Sequence, residues 1–173
     1  MTSPPLPAAG LETPAATTPS CHTPAAPAAP AGSLIIALAG APNVGKSTLF
    51  NALTGARMTM GNWPGTTVEV ARGRWNPGTT SGGLDEEFGG TAYQLVDLPG
   101  AYSLDPVSPD EALTAAILLD EDPAARPHVV VVGADATHLA RSLYLVAQLR
   151  ERRQRVVVAL TMVDVAARRG ISV

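Results

Sequence analysis

With 173 residues, 46% of them hydrophobic, the chain has room for one domain with a full core, and its formal charge of -3 excludes the basic field that nucleic-acid binding requires. The single cysteine, Cys21, has only His22 beside it, which excludes an internal disulfide and any metal-ligand spacing and fits a reducing, cytoplasmic setting. No apolar run is long enough to span a bilayer.

Residues 1–32 are Pro, Ala, Thr and Ser with almost no large apolar side chain. They cannot bury enough surface to offset the entropy of ordering, so a disordered tail is expected, with the folded part at 33–173. This stretch has neither the basic n-region nor the apolar run of a secretory signal. Leu34–Ala39, "LIIALA", is a short continuous apolar run that suits a parallel strand covered on both faces. It leads through "GAPNVG" into "KSTLFNALTG", which has helical character. Thr66–Trp75 and Thr91–Asp97 are β-rich and are joined by a Gly-rich acidic connection, which reads as a hairpin. His128–Asp135 and Arg155–Thr161 repeat the buried-strand pattern. Between them, Leu139, Leu143, Val146 and Leu149 recur at helical spacing, which predicts a buried face opposite Arg141, Gln148 and Arg152 in water. The basic cluster Arg150–Arg155 reads as a solvated helix end, and His128 and His138 as structural residues at a strand entrance and a helix start. The order strand, helix, hairpin, helix, strand, helix, strand predicts a three-layer α/β sandwich on a mostly parallel sheet with one antiparallel hairpin strand.

The chemistry begins after the first strand. Gly40, Gly45, Lys46 and Ser47 match G-x-x-x-x-G-K-[ST], placed between a strand and a helix as a phosphate loop requires. Glycines let backbone N–H groups turn inward around a β-phosphate, and the positive end of the helix faces the same anion. Lys46 would reach the β- and γ-phosphates and Ser47 would ligate Mg²⁺. The candidate nucleotide-binding residues here are Gly40, Asn43, Val44, Gly45, Lys46, Ser47 and Thr48. Asp97 of "LVDLPG" follows a strand, where a carboxylate can hold the water shell of Mg²⁺ while the Gly100 N–H meets the γ-phosphate. "DLPG" alone is also an ordinary turn. In "TMVD", Asp164 can accept from the N1–H and 2-amino group of guanine, which adenine does not offer. GTPases usually have N-K-x-D here, so Thr161 and Met162 make a thinner clamp; Asp164 as a helix N-cap is the plainer alternative.

Together these motifs resemble a small GTPase of the translation-factor-related class. "GNWPGTTVE", "DLPGAYSL" and "DATHLARSLYLVAQL" further resemble the G domain of the ferrous iron transport protein B family, continuously from about Leu34 to Val173. The resemblance implies a Ras-like P-loop fold, incomplete before the fifth guanine-binding motif. It also implies GTP/GDP as ligand, and a location at the cytoplasmic face of the cell membrane when joined to a helical regulatory domain and a membrane transport domain. Gly61, Asn62, Trp63, Pro64, Gly65, Thr66 and Thr67 would form switch I, with Thr67 reaching Mg²⁺; Asp97, Leu98, Pro99 and Gly100 would form switch II. Lys46, Thr67 and Gly100 would be the catalytic set. In the family, K⁺ is held by the residue at Asn43 and by carbonyls near Gly61 and Trp63, a cation placed where an arginine finger acts elsewhere. Trp63 could equally be a core or interface residue.

Ala101 stands where many GTPases carry the water-orienting glutamine, so hydrolysis is expected to be slow and to lean on Mg²⁺, K⁺ and backbone groups. Two other functions stay open on the sequence. One is a soluble ribosome- or tRNA-associated GTPase, which would need an RNA-binding face; the other is a nucleotide-binding remnant without useful turnover.

Overall fold

The computed structural model describes residues 33–63, 69–77, 93–123 and 125–172. The expected tail at 1–32, the switch I residues Pro64, Gly65, Thr66 and Thr67, and most of the Gly-rich connection lie outside these residues. The described elements run β1 (Leu34–Gly40), α1 (Lys46–Thr54), β2 (Met58–Asn62), β3 (Glu69–Trp75), β4 (Tyr93–Asp97), α2 (Pro109–Leu118), β5 (Val129–Asp135), α3 (Leu139–Glu151), β6 (Val156–Thr161) and α4 (Val163–Arg168).

One six-stranded sheet has the order β2-β3-β4-β1-β5-β6. β1 lies parallel between β4 and β5, and β6 runs parallel to β5. β3 is antiparallel to both β2 and β4, so it alone among the described strands runs against the rest. Alternation along β1 explains the layers. Ile36 and Leu38 pack with Phe50 of α1, while Ala37 and Ala39 face a core shared with Leu113 and Ile117 of α2 and Leu145 and Leu149 of α3. A strand apolar on both faces needs helices on both, and this is the three-layer plan the sequence predicts.

α2 starts where Ser108 accepts from the Glu111 N–H at 3.2 Å, with Pro109 at the first helical position. His128 is structural as expected: its Nδ1 accepts from the Ile35 N–H at 3.0 Å at the entrance of β5.

Four features differ from the sequence expectations. Gly61 and Asn62 are paired in β2, opposite Val70 and Glu69, where a switch loop was expected. On α3, Leu149 is buried and Val146 packs against the core as expected, but Leu143 is exposed and Ser142 and Leu145 are buried in its place. Two apolar stripes fit one helical period, and tertiary demand selects between them: the Asp135 N–H at the end of β5 needs an acceptor, which Ser142 Oγ supplies at 3.1 Å. Arg141 and Gln148, expected in water, contact the loop after β4. β6, expected to be covered on both faces, is an edge strand with Val157, Val158 and Leu160 exposed.

Candidate functional site

The loop between β1 and α1 is shaped by backbone conformations that its residues favour. Gly40 has φ 128 and passes so close to β5 that a Cβ would lie 2.7 Å from the Gly133 carbonyl. Asn43 (φ 60) and Gly45 (φ 90) are left-handed, a region natural to glycine and tolerated by asparagine. Asn43 is exposed, consistent with its alternative reading as a turn residue. Gly45 starts α1 with no side-chain cap and no acidic residue in the first turn. The contrast with α2, which has Ser108 as cap and Asp110 and Glu111 in its first turn, is informative. Helix α1 keeps its N–H groups and the positive end of its dipole open to an external anion.

Lys46 folds back over the loop, its Nζ donating to the carbonyls of Gly40 at 3.1 Å and Ala41 at 2.9 Å. Ser47 Oγ donates to Asp97 Oδ2 at 2.8 Å, which joins the first turn of α1 to the carboxyl end of β4. Burial pushes Asp97 above the usual carboxylate range, opposed by the Ser47 hydrogen bond and the Lys46 charge. Burial likewise lowers Lys46, against the pull of Asp97. Asp97 Oδ1 is buried with no hydrogen-bond partner. An orphaned carboxylate oxygen beside a hydroxyl is the donor set a hard divalent cation with retained waters takes, so Ser47 and Asp97 fit Mg²⁺. The described residues contain no group of three His, Cys, Asp or Glu that could hold a metal by itself, so phosphate oxygens would have to complete such a site.

The segment expected as switch II leaves β4 beside this pair. The Leu98 N–H bonds the Leu38 carbonyl and the Ala101 N–H bonds the Gly40 carbonyl, both at 3.0 Å, which tie it to the end of β1. The Pro99 carbonyl accepts from Thr114 Oγ1 at 3.0 Å. Ala101 is fully buried, so position 101 offers no side chain to solvent or to a phosphate.

Trp63 is 3% exposed and packs in the core that contains Val70, Leu98, Leu104 and Leu113, in agreement with the core alternative. Arg72 of β3 places its guanidinium 5.1 Å from the centre of the Trp63 ring and donates to the Asn62 carbonyl at 3.1 Å. The sequence gives no hint of this arginine's role. Its register position faces Thr59, and only the folded hairpin brings it to Asn62.

At the other end of the site, Thr161 Oγ1 donates to the Ala134 carbonyl at 3.1 Å, and its methyl would lie 3.9 Å from a Cβ on Gly45. Met162 is left-handed (φ 55) and is the residue that caps α4. Asp164 is therefore not the N-cap; it sits in the first turn, exposed, with its carboxylate 2.6 Å from Arg168. A separate cleft of about 210 Å³ opens on the α3 side of the phosphate loop, between Pro42, Tyr102 and Arg141. It includes none of Lys46, Ser47 or Asp97.

The family model for ferrous iron transport protein B matches residues 34–173. The Fe(2+) transporter FeoB of Staphylococcus aureus (strain COL) is 42% identical over 134 residues, covering 78% of this chain and 18% of that protein. The chain thus spans less than a fifth of the length of this curated relative. Among solved structures, the cytosolic domain of L. pneumophila FeoB is 43% identical with a TM-score of 0.66, over 80% of this chain and 49% of that one. The cytosolic domain of T. maritima FeoB in a GMPPNP form is 39% identical with a TM-score of 0.64, over 79% and 48%. The same domain in a GDP form is 38% identical with a TM-score of 0.65, over 80% and 48%.

Proposed function

Because the chain belongs to the ferrous iron transport protein B family, we propose that it is the nucleotide-binding switch of a ferrous iron transporter, binding GTP and GDP and hydrolysing GTP slowly. In this reading residues 33–173 work at the cytoplasmic face of the membrane, beside regulatory and transport domains. Among the described residues no helix is long and apolar enough to cross a membrane itself. One observation carries the proposal. The uncapped, acid-free start of α1 converges with Lys46 and with the Ser47–Asp97 pair, whose carboxylate keeps an orphaned oxygen.

The T. maritima relative in GMPPNP and GDP forms supplies the ligand class. Lys46 would leave the Gly40 and Ala41 carbonyls for the β- and γ-phosphates, and the N–H groups of the loop, with Val44, Gly45 and Thr48, would cradle the rest. Ser47, Asp97 through water and Thr67 of switch I would hold Mg²⁺, which would supply charge neutralisation between the phosphates. Gly100 would offer its N–H to the γ-phosphate. Asp164 would take the guanine edge by exchanging Arg168, an exposed ion pair whose loss costs about 0–1 kcal/mol. Isothermal titration of GTP, GDP and ATP tests this reading, and equal affinity for ATP and GTP would sink it.

The base clamp rests mainly on Asp164, since the Thr161 hydroxyl donates to Ala134. Thr161→Asn should tighten GDP about two- to tenfold per hydrogen bond gained, at roughly 0.5–1.5 kcal/mol each. Unchanged calorimetric affinity would count against Thr161 as part of the clamp.

Position 101 cannot orient water, and charge developing between the β- and γ-phosphates needs a counter-charge. Asn43 offers a neutral, exposed oxygen beside the loop, which suits K⁺. GTP hydrolysis is expected to run faster in K⁺ than in Na⁺ at equal ionic strength, and Asn43→Ala should erase the difference while GDP binding persists. A variant that keeps its K⁺ preference would return Asn43 to the role of a turn residue.

A further inference from the structure

The segment that follows Gly100 is held in large part by side chains from the two helices of the same face. Its backbone N–H groups find partners in turn. That of Tyr102 bonds Glu111 Oε1 at 3.4 Å, and that of Val107 bonds Glu111 Oε2 at 2.9 Å. Asp105 N–H bonds Ser103 Oγ at 3.2 Å within the loop. The Leu104 N–H is taken by Gln148 of α3, whose Oε1 accepts at 2.7 Å. The same amide donates through Nε2 to Asp105 Oδ2 at 2.7 Å. One turn pair away on α3, Arg141 stacks its guanidinium 3.7 Å from the centre of the Tyr102 ring. Helix α3 therefore grips the loop at two places, Tyr102 and Leu104–Asp105.

We infer that Gln148 is a positioning residue of the second switch: its amide sets where the loop after Gly100 lies, and so how readily the Gly100 N–H meets a γ-phosphate. The inference rests on the GTPase reading proposed above. Its physical basis is polarity. Gln148 is the residue type that can accept from a backbone N–H and donate to a carboxylate at the same time. Both bonds are short, and the same Nε2 also lies 3.4 Å from the Tyr144 hydroxyl. Release of either lets the segment from Ala101 to Asp105 shift relative to Gly40, to which Ala101 is bonded. Because the hydrogen bonds of Gln148 go to Leu104, Asp105 and Tyr144 and none among the described residues goes to the β1–α1 loop, its effect should separate the state with a γ-phosphate from the state without one.

The test is a polarity swap in the purified protein. Gln148→Glu keeps the acceptor for Leu104 but replaces the donor to Asp105 by a second carboxylate at hydrogen-bond distance. The kcat for GTP hydrolysis should fall about three- to tenfold, the consequence of losing one or two hydrogen bonds to the loop, with GDP affinity within about twofold of the unsubstituted protein. Adding Asp105→Asn restores a donor opposite Glu and should return most of the lost kcat. Hydrolysis by Gln148→Glu at the unsubstituted rate would overturn the inference. So would a loss that Asp105→Asn does not restore, or a parallel fall in GDP affinity and thermal midpoint, which marks a merely structural residue. Failure of the unsubstituted protein to hydrolyse GTP would instead overturn the GTPase reading itself, and the inference with it.

Discussion

Lys46→Ala is expected to reduce GTP affinity by roughly two to four orders of magnitude, the loss of two charge-assisted hydrogen bonds to phosphate at about 1.5–3 kcal/mol each. Little of that should appear as unfolding. Without nucleotide, the ammonium donates to the Gly40 and Ala41 carbonyls, yet burial already disfavours its charged form, so removing it relieves a desolvation cost while it gives up two bonds. The thermal midpoint should therefore move by only a few degrees at most. Ser47→Ala provides the contrast. It removes the hydroxyl that reaches Asp97 at 2.8 Å and leaves that carboxylate with both oxygens unpartnered, and nucleotide affinity should lose its dependence on Mg²⁺. Titrations with and without Mg²⁺ read both effects, and unaltered affinity in the two variants would remove Lys46 and Ser47 from the site.

Gly100→Ala should do comparable damage by a steric route. A Cβ there would lie 2.6 Å from Pro42 Cγ and 2.8 Å from the Pro42 backbone nitrogen, so the methyl group meets the phosphate loop itself rather than a yielding side-chain tip. Either the segment after β4 or the loop between β1 and α1 must shift. Overpacking of this kind costs roughly 1–3 kcal/mol, and the Ala101 to Gly40 hydrogen bond lies directly beside the clash. GTP hydrolysis should fall at least about tenfold, because a displaced position 100 no longer offers its N–H where a γ-phosphate would be, and each 1.4 kcal/mol of lost transition-state stabilisation is a factor of ten. GDP, which lacks that phosphate, should lose less. An alanine variant with unchanged GTPase rate and unchanged stability would show that the close approach of Pro42 and Gly100 has no part in switching.

The local grammar of the site is legible in the residues themselves. The left-handed turns at Asn43 and Gly45, the absence of any cap or acid at the start of α1, and the carboxylate at the end of β4 all follow from residue type at a given spacing. So do the alternating apolar strands that demand helices on both faces of the sheet. These features depend on neighbours within a few residues, where backbone preference and side-chain size decide alone. What the fold decided is everything that needs a partner distant in the chain. β2 is a strand because β3 offers it a ladder, and Trp63 is a core residue because Arg72 and α2 close over it. Asp164 faces Arg168 instead of capping its helix, because Met162 takes the left-handed turn ahead of it. The phase of α3 was decided by two polar demands at its surface, the Asp135 N–H that selects Ser142 and the Leu104 N–H that selects Gln148. Periodicity counts apolar residues and places them within one turn, but which backbone N–H is left over, and so which polar side chain of the helix must turn inward to bond it, is known only once the strands and loops are in place.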